Sequence, residues 1–168
     1  MDSTEKKYLF HQTPEDIARK LIGEIDFAKG DTVCEPFRGE GSFYNNFPDY
    51  VKKSYGEIRE GIDYRSIDYD GIDWIATNPP FQLENAKKKR VNAFWAIIDY
   101  FTQQNIRKGI CLLANDFCFG TMTPRRLKII NDRGWYITKI TCCAVKKWRG
   151  RYHFIQFTKK NNGFHTFV

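Results

Sequence analysis

The run Ile72-Asp73-Trp74-Ile75-Ala76-Thr77-Asn78-Pro79-Pro80-Phe81 is an apolar strand that ends abruptly at two prolines. Consecutive prolines fix φ and remove two backbone donors, so the segment can neither continue a strand nor open an ordinary helical turn. It presents an amide side chain, carbonyl oxygens and an aromatic face. Such a loop suits a flat group bearing an NH₂, with Asn78 and the Pro79 carbonyl as acceptors and Phe81 stacked beneath. The plain alternative is a loop after a strand, where Asn-Pro is ordinary turn chemistry.

Upstream, Thr13-Pro14-Glu15-Asp16 predicts a helix start, with Thr13 at the N-cap and Pro14 at the first helical position. Ile17, Ala18, Leu21, Ile22 and Ile25 give it one apolar face, and Gly30 is its expected stop. A short strand over 31–35 then runs into the loop Pro36-Phe37-Arg38-Gly39-Glu40-Gly41, followed by an expected helix from about Ser42 towards Phe47. Val51 to Ile58 reads as a second strand, and the dozen residues after it are too few for a full crossover helix.

Downstream, the pattern predicts an amphipathic helix from Val91 to about Asn105 and a buried strand over 109–114. A short helix over 124–132 follows. Trp135–Val145 and Tyr152–Thr158 then alternate around a basic tip and read as a β-hairpin. The expected architecture is therefore one α/β domain over residues 1–168, an open and mostly parallel sheet ending in an antiparallel hairpin. Ligands of such sheets bind beyond the C-terminal strand ends, where the candidate motifs lie.

At 168 residues the chain can bury about two-thirds of its unfolded surface without staples. Five cysteines without C-x-x-C spacing argue against a zinc site or a disulfide framework and for a reducing, cytoplasmic setting. The polar start and the absence of a long apolar run argue against a signal peptide or a membrane span. The net charge of +7 is unevenly divided. Residues 1–76 carry 10 Lys/Arg against 16 Asp/Glu, a net of −6; residues 77–168 carry 17 against 4, a net of +13. A basic half beginning at the Asn-Pro-Pro loop points to a polyanionic partner, most simply nucleic acid, DNA or RNA.

Gly39 and Gly41 let a ligand approach the backbone. The loop is neither a dinucleotide fingerprint nor a phosphate loop, because G-x-G-x-x-G and Gly-Lys-Ser/Thr are both absent. Glu57 ends a strand, where a carboxylate commonly accepts from ribose hydroxyls; Asp63 could accept from an adenine amine. Either acid read alone is equally a solvated surface carboxylate.

Taken in order, Thr13-Pro14, Glu35-Pro36-Phe37-Arg38-Gly39-Glu40-Gly41, Glu57, Asp63-Tyr64 and Asn78-Pro79-Pro80-Phe81 resemble the S-adenosylmethionine-dependent amino-methyltransferases of DNA, of the adenine-N6 type. The resemblance spans nearly the whole chain and implies a Rossmann-like methyltransferase fold. It implies that Thr13 and the Glu35, Pro36, Phe37, Gly39 and Gly41 loop hold the methionine part of S-adenosylmethionine. It places Glu57 on the ribose, Asp63 on the adenine amine, and Ile58 and Tyr64 against the adenine ring. Asn78 would face both cofactor and target, with Asn78, Pro79, Pro80 and Phe81 as the catalytic loop. The chain departs from the pattern at Arg38, where small residues are common, and in the short stretch between Glu57 and Asp63. It reads as a minimal form without a target-recognition domain, which leaves room for a partner subunit.

Substrate grip is expected from Lys87, Lys88, Lys89 and Arg90 after the loop, and from Lys146, Lys147, Trp148, Arg149 and Arg151 at the hairpin tip. The plain readings are a solvated helix start and a tryptophan that caps the sheet. His11, His153 and His165 are scattered and receive no catalytic role, and Asn115-Asp116-Phe117 is expected to border the target pocket or to form a strand-end turn. Asn-Pro-Pro-aromatic also serves enzymes acting on RNA bases, on cytosine N4 or on a protein glutamine. A non-catalytic nucleic-acid-binding subunit of the same fold is a further alternative.

Overall fold

The computed structural model describes residues 12–84, 90–146 and 148–161. Helix α1 (Glu15–Ile22) leads into strands β1 (Thr32–Glu35), β2 (Lys52–Tyr55) and β3 (Trp74–Thr77). A small antiparallel pair, β4 (Gln82–Glu84) and β5 (Arg90–Asn92), precedes α2 (Ala93–Phe101). The chain continues through β6 (Gly109–Asn115), α3 (Asp116–Gly120), α4 (Pro124–Asp132), β7 (Tyr136–Cys143) and β8 (Tyr152–Thr158).

Six strands make one sheet in the order β2-β1-β3-β6-β8-β7. The first four are mutually parallel, and β8 runs antiparallel to both β6 and β7. This is the mostly parallel sheet with a terminal hairpin that the sequence pattern implied. The chain leaves β1 towards one edge for β2 and returns past it to β3, so the loops after β1 and β3 diverge. That divergence is the switch point where open α/β sheets form a crevice.

Alternation along the strands separates two cores. Cys34, Ile75, Ile110, Leu112, Ile155 and Phe157 face Phe94, Ile97, Ile98 and Phe101 of α2. Val33, Trp74, Ala76, Cys111, Leu113 and Phe154 face Ala18, Leu21 and Ile22 of α1 with Phe43 and Phe47. The four α2 side chains are fully buried, each worth about 1.5–3 kcal/mol of transfer from water. Trp74 lies flat over Gly109, its cross-strand partner, where an added Cβ would meet the indole at 2.2 Å. At the N-terminal strand ends, Asp31 accepts from Trp74 Nε1 (2.8 Å) and Lys108 Nζ (2.6 Å). Asp73 accepts there from Thr32 N and from Arg107 Nη2, both at 2.9 Å.

Several expected boundaries are corrected. Pro14, not Thr13, is the N-cap of α1, because the Thr13 hydroxyl and carbonyl are engaged elsewhere. The helix stops at Ile22 against Gly23, while Gly30 turns the chain into β1 with φ +86°. The expected helix towards Phe47 is a single 3₁₀ turn, Tyr44–Asn46, cut short before Pro48. The second strand ends at Tyr55, since Glu57 starts a 3₁₀ turn by accepting from Arg59 N. The helix expected from Val91 begins only at Ala93, capped by Asn92 Oδ1, because 90–92 pair with β4. Among the described residues no helix is long and apolar enough to cross a membrane.

Candidate active site

The loop after β3 is joined directly to the segment before α1. Asn78 Nδ2 donates to Thr13 Oγ1 at 3.1 Å, and Thr13, 3% exposed, accepts from Ser42 Oγ through its carbonyl at 2.7 Å. Ser42 also receives Gln12 Nε2. The amide NH₂ of Asn78 is thus committed to Thr13, which sets the orientation of its oxygen. Pro79 is buried beneath the loop, and the Phe81 carbonyl accepts from Ala93 N at 3.1 Å, tying the loop to α2. Phe81 lies 6.2 Å from Tyr152 and Tyr152 4.6 Å from Trp148, ring centre to ring centre. An aromatic series therefore runs from the loop to the hairpin tip.

The loop after β1 is held from below by two carboxylates. Glu35 is buried, and Oε2 accepts from Tyr44 N at 2.7 Å. Burial pushes this carboxyl well above its ordinary range despite that bond and the nearby Arg38 charge. Glu35 thereby braces the loop on which Gly39 and Gly41 sit with φ +55° and +88°. Glu57 is also buried and joins that loop to the end of β2, accepting from Gly39 N at 2.8 Å. It accepts as well from Arg59 N (3.0 Å) and Arg59 Nε (2.9 Å). Burial pushes Glu57 upward, but these donors outweigh it and hold the carboxyl below its ordinary value.

Beside Glu57, Ile58 stands 60% exposed, an apolar side chain turned to water at the crevice. Asp63 is held by Arg65 through the backbone N–H, Nε and Nη2, all within 2.9 Å, and this pairing keeps its carboxyl low. Tyr64 packs inward on Phe37 (4.9 Å) and Phe101 (6.0 Å). Arg38 pairs with Glu60 and covers the Tyr55 ring at 4.0 Å. The site residues thus fall into two linked groups, Thr13 with Asn78 and Gly39 with Glu57, with Phe37 and Tyr64 packed together behind them.

Arg59 and Arg65, which embrace the two acids, belong to none of the motifs. Glu57-Ile58-Arg59 and Asp63-Tyr64-Arg65 repeat one spacing, and that repeat was the available signal. Tyr152, the middle ring of the aromatic series, was missed too; its place in a strand carries no motif. Of the basic candidates, Lys146, Arg149 and Arg151 are exposed at the tip. Arg151 Nε pairs with Asp116 Oδ2 at 3.4 Å, which anchors the tip to the start of α3. Lys87, Lys88, Lys89 and Lys147 lie outside the described residues, as does the side chain of Arg90. Asn115 and Asp116 open α3, a helix that the sequence pattern did not announce, with Asn115 Oδ1 accepting from Cys118 N at 2.7 Å. Phe117 is 71% exposed beside them.

No family model matches this sequence, and no curated protein matches it. Solved structures do share the fold. A protein described as a modification subunit of a type I restriction enzyme from Vibrio vulnificus is 14% identical with a TM-score of 0.63; the match covers 88% of this chain. One described as a class I S-adenosylmethionine-dependent methyltransferase from Listeria monocytogenes is 12% identical with a TM-score of 0.65 over 92% of this chain. The match spans 44% and 62% of those two proteins, less than two thirds of either. The E. cuniculi Mtq2–Trm112 complex, responsible for methylation of the translation termination factor eRF1, matches at 16% identity and a TM-score of 0.60, over 90% of this chain and 98% of the other. The fold is the Rossmann-like fold of methyltransferases.

Proposed function

We propose that this chain is an S-adenosylmethionine-dependent methyltransferase that acts on an exocyclic amino nitrogen, N6 of adenine in DNA. The observation that carries the reading is the Thr13–Asn78 hydrogen bond at the C-terminal mouth of the sheet, which holds the Asn78 amide in one orientation above a rigid proline pair. The chemistry of the crevice suits the cofactor. Gly39 has a left-handed backbone whose only neighbour at a Cβ position, among the described residues, is the Gln12 side chain at 3.7 Å, Glu57 has acceptor capacity beyond its three donors, and Ile58 offers an uncovered apolar side chain to an aromatic ring.

Bound S-adenosylmethionine supplies an electrophilic methyl group on a sulfonium sulfur. The Gly39 and Gly41 turn is assigned to its methionine end, Glu57 to the ribose hydroxyls, and Ile58 and Asp63 to the adenine. The target amine is a weak nucleophile because its lone pair is delocalised into the base. Asn78 Oδ1 and the Pro79 carbonyl accept its two hydrogens, draw the nitrogen towards a pyramidal geometry and aim its lone pair at the methyl group. Phe81 stacks on the base and steadies the charge that develops. Orientation of this kind supplies about 7–11 kcal/mol of the barrier. The methylated nitrogen is acidic while it carries the extra proton and would lose it to water after transfer, so no strong base is required. In a duplex the base is first turned out of the stack, at a cost of a few kcal/mol.

The basic half of the chain, with a net of +13, supports nucleic acid as the substrate. The neighbour of similar length acts on a protein, which keeps a glutamine side chain as the second reading. The test is transfer of labelled methyl groups to single-stranded DNA, duplex DNA and RNA, with the product nucleoside identified and Asn78→Ala run beside the wild type. Methyladenine in DNA that vanishes in the variant is the expected result. Transfer that survives Asn78→Ala overturns the mechanism; cofactor binding without transfer to any nucleic acid moves the assignment to a protein acceptor or to an assembly with a partner chain.

A further inference from the structure

Outside the crevice, three side chains from three elements meet in line. Cys142 on β7 and His153 on β8 are cross-strand partners, with Cys142 Sγ 3.4 Å from His153 Nδ1. On its other side the imidazole places Nε2 2.7 Å from Asp116 Oδ1, at the first residue of α3. Asp116 is held a second time by Arg151, through the backbone N–H and Nε at 3.4 Å. His153 is 8% exposed, and the Phe119 ring lies 4.9 Å from its imidazole, so the histidine is fixed in place while Cys142 is exposed.

Each atom has a defined part. A carboxylate can only accept, so His153 Nε2 carries a hydrogen and donates it to Asp116. In the neutral ring Nδ1 is then the acceptor, and it faces the thiol. A nucleophile, a base and a group that orients the base within hydrogen-bond reach are what thiol activation requires. The other thiols do not share these conditions. Cys34, Cys111 and Cys118 are buried, which pushes Cys34 and Cys118 up to about 11 and Cys111 higher still; Cys143 is half-buried and also raised.

We propose that Cys142, His153 and Asp116 form a thiol-exchange site that takes low-molecular-weight disulfides and holds them as a mixed disulfide on Cys142. His153 Nδ1 receives the thiol proton as the sulfur attacks one sulfur of the disulfide. The S–S bond of the reagent breaks, a new one forms to Cys142, and the departing thiolate takes the proton back from His153. One disulfide is exchanged for another, with no net oxidation. The site is independent of the methyl-transfer reading.

Reaction of the folded full chain with dithiobis-nitrobenzoate at pH 7 tests this, with peptide mass spectrometry to locate the adduct. One fast thiol is expected, absent in Cys142→Ser and slowed at least about tenfold in His153→Gln, a threshold set below the roughly 10²–10⁴-fold that a positioned acid–base group contributes. Asp116→Asn alters a half-exposed side chain and slows the reaction by a smaller factor, which keeps the test decisive should His153→Gln fail to fold. A fast thiol that persists in Cys142→Ser overturns the proposal. So does a Cys142 rate in Asp116→Asn and in any folded His153→Gln equal to that of the wild type.

Discussion

Asn78 and Thr13 are 65 positions apart in the chain and are joined by one hydrogen bond, Nδ2 to Oγ1 at 3.1 Å. The bond fixes the orientation of the amide, and it draws the segment before α1 against the loop after β3. Thr13→Val removes the acceptor while keeping the branched shape. The expected loss is about fivefold to tenfold in kcat, the effect of about 1–1.4 kcal/mol on the barrier. Steady-state methyl transfer to the proposed nucleic-acid substrate checks it; an unchanged kcat would show that Asn78 holds its orientation without Thr13.

The two buried glutamates should oppose each other in their pH dependence. Glu57 is held below its unfolded value, so its contribution to stability is present above about pH 4.3 and is lost as pH falls through the folded value. Glu35 is raised by burial, so the folded state binds its proton more tightly than the unfolded chain, and stability declines as pH rises above about 4.3 towards the folded value. Glu57→Gln is therefore expected to lower the thermal midpoint at pH 7. Glu35→Gln retains an oxygen for Tyr44 N and should cost little there or raise the midpoint. Denaturation curves at pH 3, 5 and 8 for the wild type and both variants read the two slopes, that of Glu57 below about pH 4.3 and that of Glu35 above it, and slopes of the same sign would refute the assignment.

Gly109 is required by contact rather than by backbone freedom. A Cβ there would meet Trp74 at 2.2 Å, and Trp74 is tied down by Asp31. Gly109→Val is expected to destabilise the fold by about 1–3 kcal/mol through overpacking. Calorimetry should place its melting point lower by about 2–4 °C per kcal/mol.

The proposed nucleic-acid grip at the tip of the hairpin can be divided into the contribution of a ring and that of charges. Trp148→Ala removes the outer member of the series Phe81–Tyr152–Trp148 and is expected to weaken single-stranded binding by about 1–3 kcal/mol. Arg149→Gln, at an exposed side chain, is expected to reduce the slope of log affinity against log salt by about 1 while leaving base preference unchanged. Binding isotherms across a salt series separate the two effects. An Arg149→Gln slope equal to that of the wild type would remove the tip from the phosphate path.

Much of the architecture could be read from local pattern. The burial pattern of β6 and β8 and the helix at Pro124 follow from residues close together in sequence, and the expected spans lie within a few residues of the observed ones. Two of the corrected boundaries fell where another part of the chain claimed a group that local rules had already assigned. Thr13 has the chemistry of an N-cap, yet its hydroxyl goes to Asn78; residues 90–92 could have opened a helix, yet they pair with β4. Arg59 and Arg65 are two residues from the acids that they embrace, but no periodicity marks a turn that folds a side chain back on its neighbour.

The sequence by itself determined the rigid Asn78-Pro79-Pro80-Phe81 loop, the division of charge at residue 77 and the alternation that makes the sheet, because each depends on covalent geometry, composition or a short repeat. The tertiary structure decided which polar groups meet. Asn78 with Thr13, Gly39 with Glu57, and Cys142 with His153 and Asp116 are brought together by strand order, since a hydrogen bond acts over about 3 Å whatever the separation along the chain.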